Sequence, residues 1–143
     1  MDEAAILAQP HSVLVASRGA NRKLFQEAAE RAIARGQSAV FLIYVDEVPG
    51  LFYPGLASPT PEGLTVLETG TLVLERFGVQ AVPVWALSHD AAETVAEASA
   101  ALRCDTVVVG ATQRTFLWQA LRGKFIQDLL AKLDGNVRLV VVG

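Results

Sequence analysis

The chain has 143 residues and a formal net charge of −3, and 52% of its residues are hydrophobic while 19% are charged. This length suits one domain over residues 1–143 with a single core, and the composition excludes a disordered chain. The acidic balance argues against a nucleic-acid partner, which needs a basic surface. The lone Cys104 excludes a disulfide framework and a cluster of cysteine metal ligands.

The apolar runs of the chain are short, and none approaches the ~20 residues that a membrane-spanning helix needs. Residues 1–11, a predicted lead-in, carry Asp2 and Glu3 in place of the basic residues of a secretory signal. We therefore expect a cytoplasmic domain, or one at the cytosolic face of the membrane if its partner is a transporter.

The first third of the chain predicts two buried strands and a helix between them. Residues 12–16 and 39–45 are continuous apolar runs, typical of strands that are buried on both faces. A helix is predicted to start after Asn21, its N-cap, and to end before Gly36. Its apolar stripe has the spacing of one helix face and comprises Leu24, Phe25, Ala28, Ala29, Ala32 and Ile33.

The middle of the chain begins with a long irregular stretch. Residues 46–63 contain four prolines and three glycines, and a loop of this length usually has a functional or mobile role. Thr60 and Pro61 are typical of the N-cap and first residue of a helix. That helix has an inner face of Leu67, Gly70, Thr71, Leu74 and Phe77, and Gly78 closes it. Residues 79–87 predict an edge strand because they contain Pro83, and Ser88 is the predicted cap of a third helix.

The last third contains the stretch with most of the functional signal. An apolar strand at residues 106–109 ends at Gly110, and a polar loop follows before Gly123 and Lys124, where a helical period begins. This layout is typical of an anion site, because a helix N-terminus offers unpaired N–H groups and a glycine lets a phosphate come close. Trp118 and Phe125 stand where a Walker A loop needs Gly and Ser/Thr, which excludes that motif. Residues 136–142 predict a fifth strand.

The order of strand, Gly110, loop, Gly123 and helix resembles the ATP-binding motif of the universal stress protein family, in which GxxG is followed by nine residues and then Gly-Ser/Thr. Two positions depart from that motif, because Gln113 replaces the second glycine and Lys124 replaces the Ser/Thr. The segment is also similar to stress-protein domains at the cytosolic C-termini of some amino-acid permeases.

Alternating strands and helices predict an α/β fold with a parallel, doubly wound sheet and helices on both faces. Ligands of such sheets bind beyond the carboxyl ends of the strands, where the winding reverses. The resemblance covers nearly the whole chain and implies an adenine-nucleotide alpha-hydrolase-like fold with five strands in the order 3-2-1-4-5. In that order the loops that start at Ser17 and at Gly110 lie side by side.

Basic residues are concentrated in these two loops and the first helical turns after them. Six of the twelve in the chain fall there, which favours a phosphate-bearing ligand, although several could instead point to solvent. They are Arg18, Arg22, Lys23, Arg114, Arg122 and Lys124. The resemblance implies contacts after strand 1, where Arg18 replaces a usual Asp, and from the Tyr44 backbone after strand 2. The predicted binding set is Ala16, Ser17, Arg18, Tyr44, Gly110, Thr112, Gln113, Arg114, Arg122, Gly123, Lys124 and Phe125.

Catalytic residues and metal ligands are not predicted. The histidines are His11 and His89, and His89 stands in the predicted first turn of a helix, where a solvated or capping role is favoured. Cys104 is predicted to be a buried, inert thiol, and Asp105 is predicted to be structural. Trp85 is predicted to belong to the core.

We therefore predict a regulatory module, not an enzyme, that binds ATP, another adenine nucleotide or a related phosphate ligand. The alternative is a domain that binds no nucleotide and acts through protein contacts, as a homodimer or as the cytosolic part of an amino-acid transporter. A nucleotide hydrolase is the least favoured class, because no general base is evident after strand 1. Residues 137–142 are predicted as an apolar edge strand through which two copies pair.

Overall fold

The computed structural model describes residues 12–19, 21–48, 58–110 and 116–143, and within the last range it describes residues 116–123 by their backbone alone. The lead-in at residues 1–11, half of the long loop (residues 49–57) and the predicted site residues Thr112, Gln113 and Arg114 lie outside the described residues.

Strands and helices alternate through the described ranges. Their bounds are β1 (Ser12–Ala16), α1 (Arg22–Ala34), β2 (Ala39–Glu47), α2 (Pro61–Arg76), β3 (Gln80–Ser88), α3 (Ala91–Ala101), β4 (Cys104–Gly110), α4 (Phe116–Lys132) and β5 (Arg138–Val142). The strands form a five-stranded sheet in the order β3-β2-β1-β4-β5, which confirms the predicted order. Each pair of neighbouring strands is parallel.

The central strand β1 is buried on both faces, as its continuous apolar sequence predicts. Val13, Leu14 and Val15 have no exposed surface. Val13 and Val15 pack with residues of α1 and α2 on one face of the sheet. Leu14 packs on the other face with residues of α3 and α4. A large apolar side chain contributes roughly 1.5–3 kcal/mol when it is fully buried, so this two-sided core supplies the main stabilisation of the sheet.

Helix ends follow the local sequence signals in most places. Asn21 accepts hydrogen bonds from the backbone N–H groups of Lys23 and Leu24, and Thr60 accepts one from Gly63. Gly36 and Gly78 have φ angles of 73° and 91°, a left-handed conformation that glycine adopts without strain. The predicted N-caps Asn21 and Thr60 and the predicted glycine ends Gly36 and Gly78 are therefore confirmed.

Two predictions, one about α1 and one about α3, are wrong. Ile33 is 51% exposed, because it lies beyond the edge of the face of α1 that Leu24 and Phe25 bury. Ser88 ends β3 and does not cap α3. The cap is Asp90, whose carboxylate accepts the N–H of Glu93 at 3.1 Å. His89 accordingly lies in the turn before α3, and not in its first turn.

The start of the last helix is also corrected. α4 begins at Phe116, so Gly123 and Lys124 lie inside the helix and do not form its N-terminus. The residues before them are mostly good helix formers, and one interior glycine costs only about 1 kcal/mol relative to alanine. Inside a helix the backbone N–H groups bond to carbonyls one turn earlier, which leaves those of Gly123 and Lys124 committed to the helix.

None of the helices in the described part of the chain is long and apolar enough to cross a membrane.

Candidate functional site

A cleft opens at the carboxyl ends of β1 and β2, on the face of the sheet that α3 and α4 cover. About 330 Å³ of space lies in it and in front of it, open solvent included, and the enclosed part is about 20 Å³, which is room for one water molecule. The winding reverses between β1 and β4, so the cleft lies beside that point and shares the carboxyl end of β1 with it. Its lining residues are Ala16, Ser17, Arg18, Ile43, Val45, Ala91, Val95 and Phe125.

The turn after β1 is held to the sheet by its own backbone. The N–H of Ser17 donates to the carbonyl of Ile43 at 3.3 Å, and the N–H of Asn21 donates to the carbonyl of Gly19 at 2.9 Å. The N–H of Gly19 donates to the hydroxyl oxygen of Ser17 at 3.3 Å. These bonds fix the backbone on both sides of Arg18, so its side chain starts from a defined position at the rim of the cleft.

The interior of the cleft is apolar. Ile43 and Val95 are almost completely buried, and Val45 and Phe125 are half-buried beside them. Among the described lining residues, Ser17 and Arg18 carry the polar side chains. An apolar interior with a few polar groups at one rim is the usual composition of a small-molecule site.

An ion pair spans the rim of this cleft. The Arg18 guanidinium contacts Oε1 of Glu47, and both side chains are partly exposed. Oε2 of Glu47 accepts the backbone N–H of Ala91, the first residue of α3, at 3.2 Å. Glu47 was not predicted as a site residue, because its partners are distant in sequence and an acidic residue at a strand end carries no local signal.

Four of the predicted site residues come together in the cleft, namely Ala16, Ser17, Arg18 and Phe125. Tyr44 contributes backbone between two lining residues, but its side chain points to the opposite face of the sheet, among residues of α1 and α2. Gly110 ends β4, where it is buried and pairs with Val142 of β5.

The predicted group of basic residues does not gather as a whole. The guanidinium of Arg22 lies 5.6 Å from the ring centroid of Phe77, which is the C-cap of α2. Arg22 is therefore engaged outside the cleft. Lys124 is an exposed residue inside α4, and Arg122 lies two residues before it in the same helix. Arg18 is the one described member that lines the cleft.

A second polar cluster lies on the opposite face, at the same end of the sheet. Asp46 is 8% exposed and accepts three hydrogen bonds. Two come from the N–H and hydroxyl of Thr60, at 3.1 and 2.7 Å, and one from the indole N–H of Trp85 at 2.7 Å. Burial raises the pKa of Asp46, but the bonds from Trp85 and Thr60 outweigh it and hold the pKa below its ordinary value.

Tyr44 belongs to the same cluster. Burial raises the pKa of its phenol, and the negative charges of Glu62 and Asp46 raise it further. The ring also fills the space beside Gly63, where a Cβ atom would lie 2.7 Å from the tyrosine Cε1. The glycine at that position lets the first turn of α2 approach the sheet closely.

The remaining candidate residues have structural surroundings. Cys104 is buried, and burial together with the nearby Asp105 raises the pKa of its thiol to about 12. Such a thiol is not a nucleophile at neutral pH, which agrees with the prediction. Asp105 forms an ion pair with Arg35. No group of His, Cys, Asp and Glu residues within the described ranges could hold a metal ion.

Fold and cleft together define a small α/β protein with a candidate ligand site beside its switch point. The sequence pattern of the Universal stress protein family matches residues 12–141, and the chain belongs to that family. The predicted resemblance is therefore confirmed at the level of the family. No curated protein sequence matches this chain at a significant level.

Solved structures support the fold at low sequence identity. A universal stress protein from Archaeoglobus fulgidus superposes with a TM-score of 0.71 at 15% identity, over 94% of this chain and 100% of that one. A universal stress protein from the same organism, in complex with dAMP, gives a TM-score of 0.70 at 14% identity, over 93% of this chain and 98% of that one. A family member from Arabidopsis thaliana with AMP bound gives 0.61 at 18% identity, over 94% and 93%. The adenine-nucleotide alpha-hydrolase-like fold is thus confirmed.

Proposed function

We propose that this protein is a regulatory module that binds an adenine nucleotide in the cleft beside Arg18. The observation that supports it most is the position of the cleft, at the carboxyl end of β1 beside the reversal of the winding, together with its apolar interior. The family supports it as well, because the similar proteins from Archaeoglobus fulgidus and Arabidopsis thaliana hold dAMP and AMP.

The lining residues divide the cleft into two kinds of surface. Ile43, Val45 and Phe125 offer apolar contact to a base, while Arg18 offers a positive charge at the rim to a phosphate. We propose binding without turnover, since the polar side chains among the described lining residues are a serine and an arginine. Neither of these is a general base at neutral pH, and the carboxylate of Glu47 at the rim is held by Arg18 and by the N–H of Ala91.

Thermal unfolding tests the proposal. A ligand at a hundred times its dissociation constant stabilises a protein by about 2.7 kcal/mol, which is several degrees in melting temperature for a domain of this size. We expect AMP or ATP to raise the melting temperature, and GMP and inorganic phosphate to raise it less.

A matched pair of variants assigns any shift to the cleft. Ala91→Leu puts a larger side chain against the cleft, whereas Ala100→Leu makes the same change at an exposed position of α3. Adenine ligands should stabilise Ala100→Leu like the parent and should stabilise Ala91→Leu much less. Equal stabilisation of both variants would place the ligand elsewhere, and no stabilisation of the parent by any adenine ligand would refute the proposal.

A second candidate function is supported by the edge of the sheet. In the described residues β5 pairs with β4 on one side, and Val141 is 44% exposed. Leu139 and Val140 are half-buried in the same strand. An apolar edge strand is a template for another strand, so we propose that two copies pair through β5. Light scattering at tens of micromolar should give the mass of a dimer. A cytosolic location and partnership with an amino-acid transporter remain predictions from the sequence alone.

A further inference from the structure

Glu47 uses both oxygens of its carboxylate on donors that belong to the cleft. Oε1 contacts the guanidinium of Arg18, and Oε2 accepts the backbone N–H of Ala91 at 3.2 Å. Arg18 and Ala91 both line the cleft, whereas Glu47 reaches them from the end of β2. The carboxylate therefore occupies the position at which these two donors could receive an anion.

The start of α3 leaves this position open to Glu47. The first N–H groups of a helix have no partner within the helix and need one from outside it. Asp90 serves the N–H of Glu93, one turn into α3, and its other carboxylate oxygen lies 3.7 Å from Nζ of Lys132. Asp90 is thus committed away from the rim, and Glu47 serves the N–H of Ala91 instead.

The ion pair between Arg18 and Glu47 can be replaced by a contact between Arg18 and a ligand. The side chains of Arg18 and Glu47 are 45% and 41% exposed, and ion pairs with that exposure contribute little to stability. A phosphate or carboxylate group of a ligand offers the same kind of acceptor oxygens as Glu47 does. An incoming anion can therefore replace Glu47 at small cost, whereas an uncharged nucleoside has no group that would compete with it.

We infer that Glu47 is an internal anion of the cleft, which an anionic ligand must displace in order to reach Arg18. This inference rests on the proposed function and deepens it, because it makes Glu47 a determinant of selectivity. With Glu47 in place, the charges of Arg18 and Glu47 cancel at the rim, and a phosphate group adds little to the affinity of a ligand. Without the negative charge of Glu47, Arg18 attracts a nucleotide more strongly than a nucleoside.

Isothermal titration with AMP and with adenosine tests the inference. Glu47→Gln keeps the size of the side chain and an oxygen that can accept the N–H of Ala91, but it removes the charge. We expect about three- to fivefold tighter binding of AMP to Glu47→Gln than to the parent, the upper part of the range of a partly exposed ion pair. Adenosine should bind both proteins within about twofold. Glu93→Gln is the control, because it removes an exposed negative charge from α3, the helix whose first N–H Glu47 accepts. It should change the affinity for AMP less than about twofold, since salt screens an exposed charge.

Two further variants keep the test independent of any single substitution. In Arg18→Gln, AMP should bind more weakly, and adding Glu47→Gln to that background should give no gain. If Glu47→Gln does not fold, Glu47→Ser removes the charge with a shorter side chain, and the same gain for AMP is expected.

The outcomes separate the inference from the proposed function. Unchanged AMP affinity in Glu47→Gln, with adenosine still bound, would overturn the inference and leave the proposed function standing. Weaker binding of both ligands to Glu47→Gln would also overturn it, because Glu47 would then be a ligand contact. If neither AMP nor adenosine binds the parent or any variant, both fail. Binding of AMP to Glu47→Gln but not to the parent would support the inference, and the proposed function would then stand only if another adenine ligand binds the parent.

Discussion

The indole Nε1 of Trp85 donates a hydrogen bond of 2.7 Å to Oδ2 of Asp46, and so joins the edge strand β3 to β2. The same carboxylate accepts the N–H and the hydroxyl of Thr60, the N-cap of α2. One buried side chain therefore ties two strands and the start of a helix together. The two ends of the segment between β2 and α2 are held close to each other by it.

Asp46→Asn should destabilise the protein by about 2–3 kcal/mol at neutral pH, because a buried donor would lose its charged acceptor. The change in the free energy of unfolding is measured by chemical denaturation, with Trp fluorescence as the signal. Asp134→Asn, at an exposed position, is the control and should alter the free energy of unfolding by less than about 0.5 kcal/mol. Equal stability of parent and Asp46→Asn would contradict the tie between β2, β3 and α2.

The contribution of Asp46 should depend on pH in one direction. Its pKa in the folded protein is lowered, while an unfolded Asp has a pKa of about 3.9. Stability from a depressed carboxyl pKa is fully present above the unfolded value and is lost as the pH falls through the folded value. The difference between parent and Asp46→Asn should accordingly be constant near neutrality and shrink below about pH 4. If the difference in free energy of unfolding between the two proteins grew on acidification, the lowered pKa of Asp46 in the folded protein would be contradicted.

Elements whose signal is local could be predicted from the sequence. Buried parallel strands are continuous apolar runs, and the caps Asn21 and Thr60 are read from single residues beside helical spacing. The strand order, in contrast, came from the family resemblance, and it placed the loop after Ser17 at the switch point. The start of α4 was missed because Gly123 is a helix-breaking signal that the surrounding residues override.

The contacts made by Glu47 and Asp46 could not be predicted, because they join residues that are far apart in the chain. Glu47 meets Arg18 across 29 positions and Ala91 across 44, and Asp46 meets Trp85 across 39. No periodic pattern encodes such pairs. They follow from the register of β2 against its neighbours, in which Tyr44 and Asp46 face one side of the sheet while Val45 and Glu47 face the other.

Gly70→Ala should destabilise the protein despite the better helix propensity of alanine. A Cβ atom at this position would lie 2.5 Å from Cδ2 of Leu42 and 3.0 Å from Cζ of Phe25, and both side chains are fully buried. Overpacking of this kind costs about 1–3 kcal/mol, against a gain of about 1 kcal/mol from propensity. We expect a net loss of up to about 2 kcal/mol in the free energy of unfolding, measured by chemical denaturation.

Gly135→Ala is the matched control for Gly70→Ala, because a Cβ atom at Gly135 would meet nothing within 4 Å. Its free energy of unfolding should stay within about 0.5 kcal/mol of the parent value. A stabilising effect of Gly70→Ala would show that α2 can move away from β2 at little cost, contrary to the close packing described above.

Cys104 should be unreactive in the folded protein. The residue is 5% exposed, and a thiol pKa raised to about 12 leaves almost no thiolate at neutral pH. Ellman's reagent should therefore give no signal with the native protein and one thiol per chain after unfolding in guanidinium chloride. Since Cys104 is the lone cysteine of the sequence, the signal has a single source. Rapid reaction of the native protein would mean that the region between α3 and β4 opens readily.

Val141→Lys should convert the proposed dimer into a monomer. Val141 is exposed on β5, and its backbone pairs with that of Val109 in β4. A lysine there leaves the pairing with β4 in place, while two copies that meet across a twofold axis would bring their added charges together.

Leu72→Lys introduces the same charge at a 62% exposed position of α2, which packs against β2 and β3 at the other side of the sheet. Light scattering should report a dimer for the parent and for Leu72→Lys, and a monomer for Val141→Lys with unchanged circular dichroism. A monomeric parent would refute pairing through β5, and a dimeric Val141→Lys would move the interface to another surface.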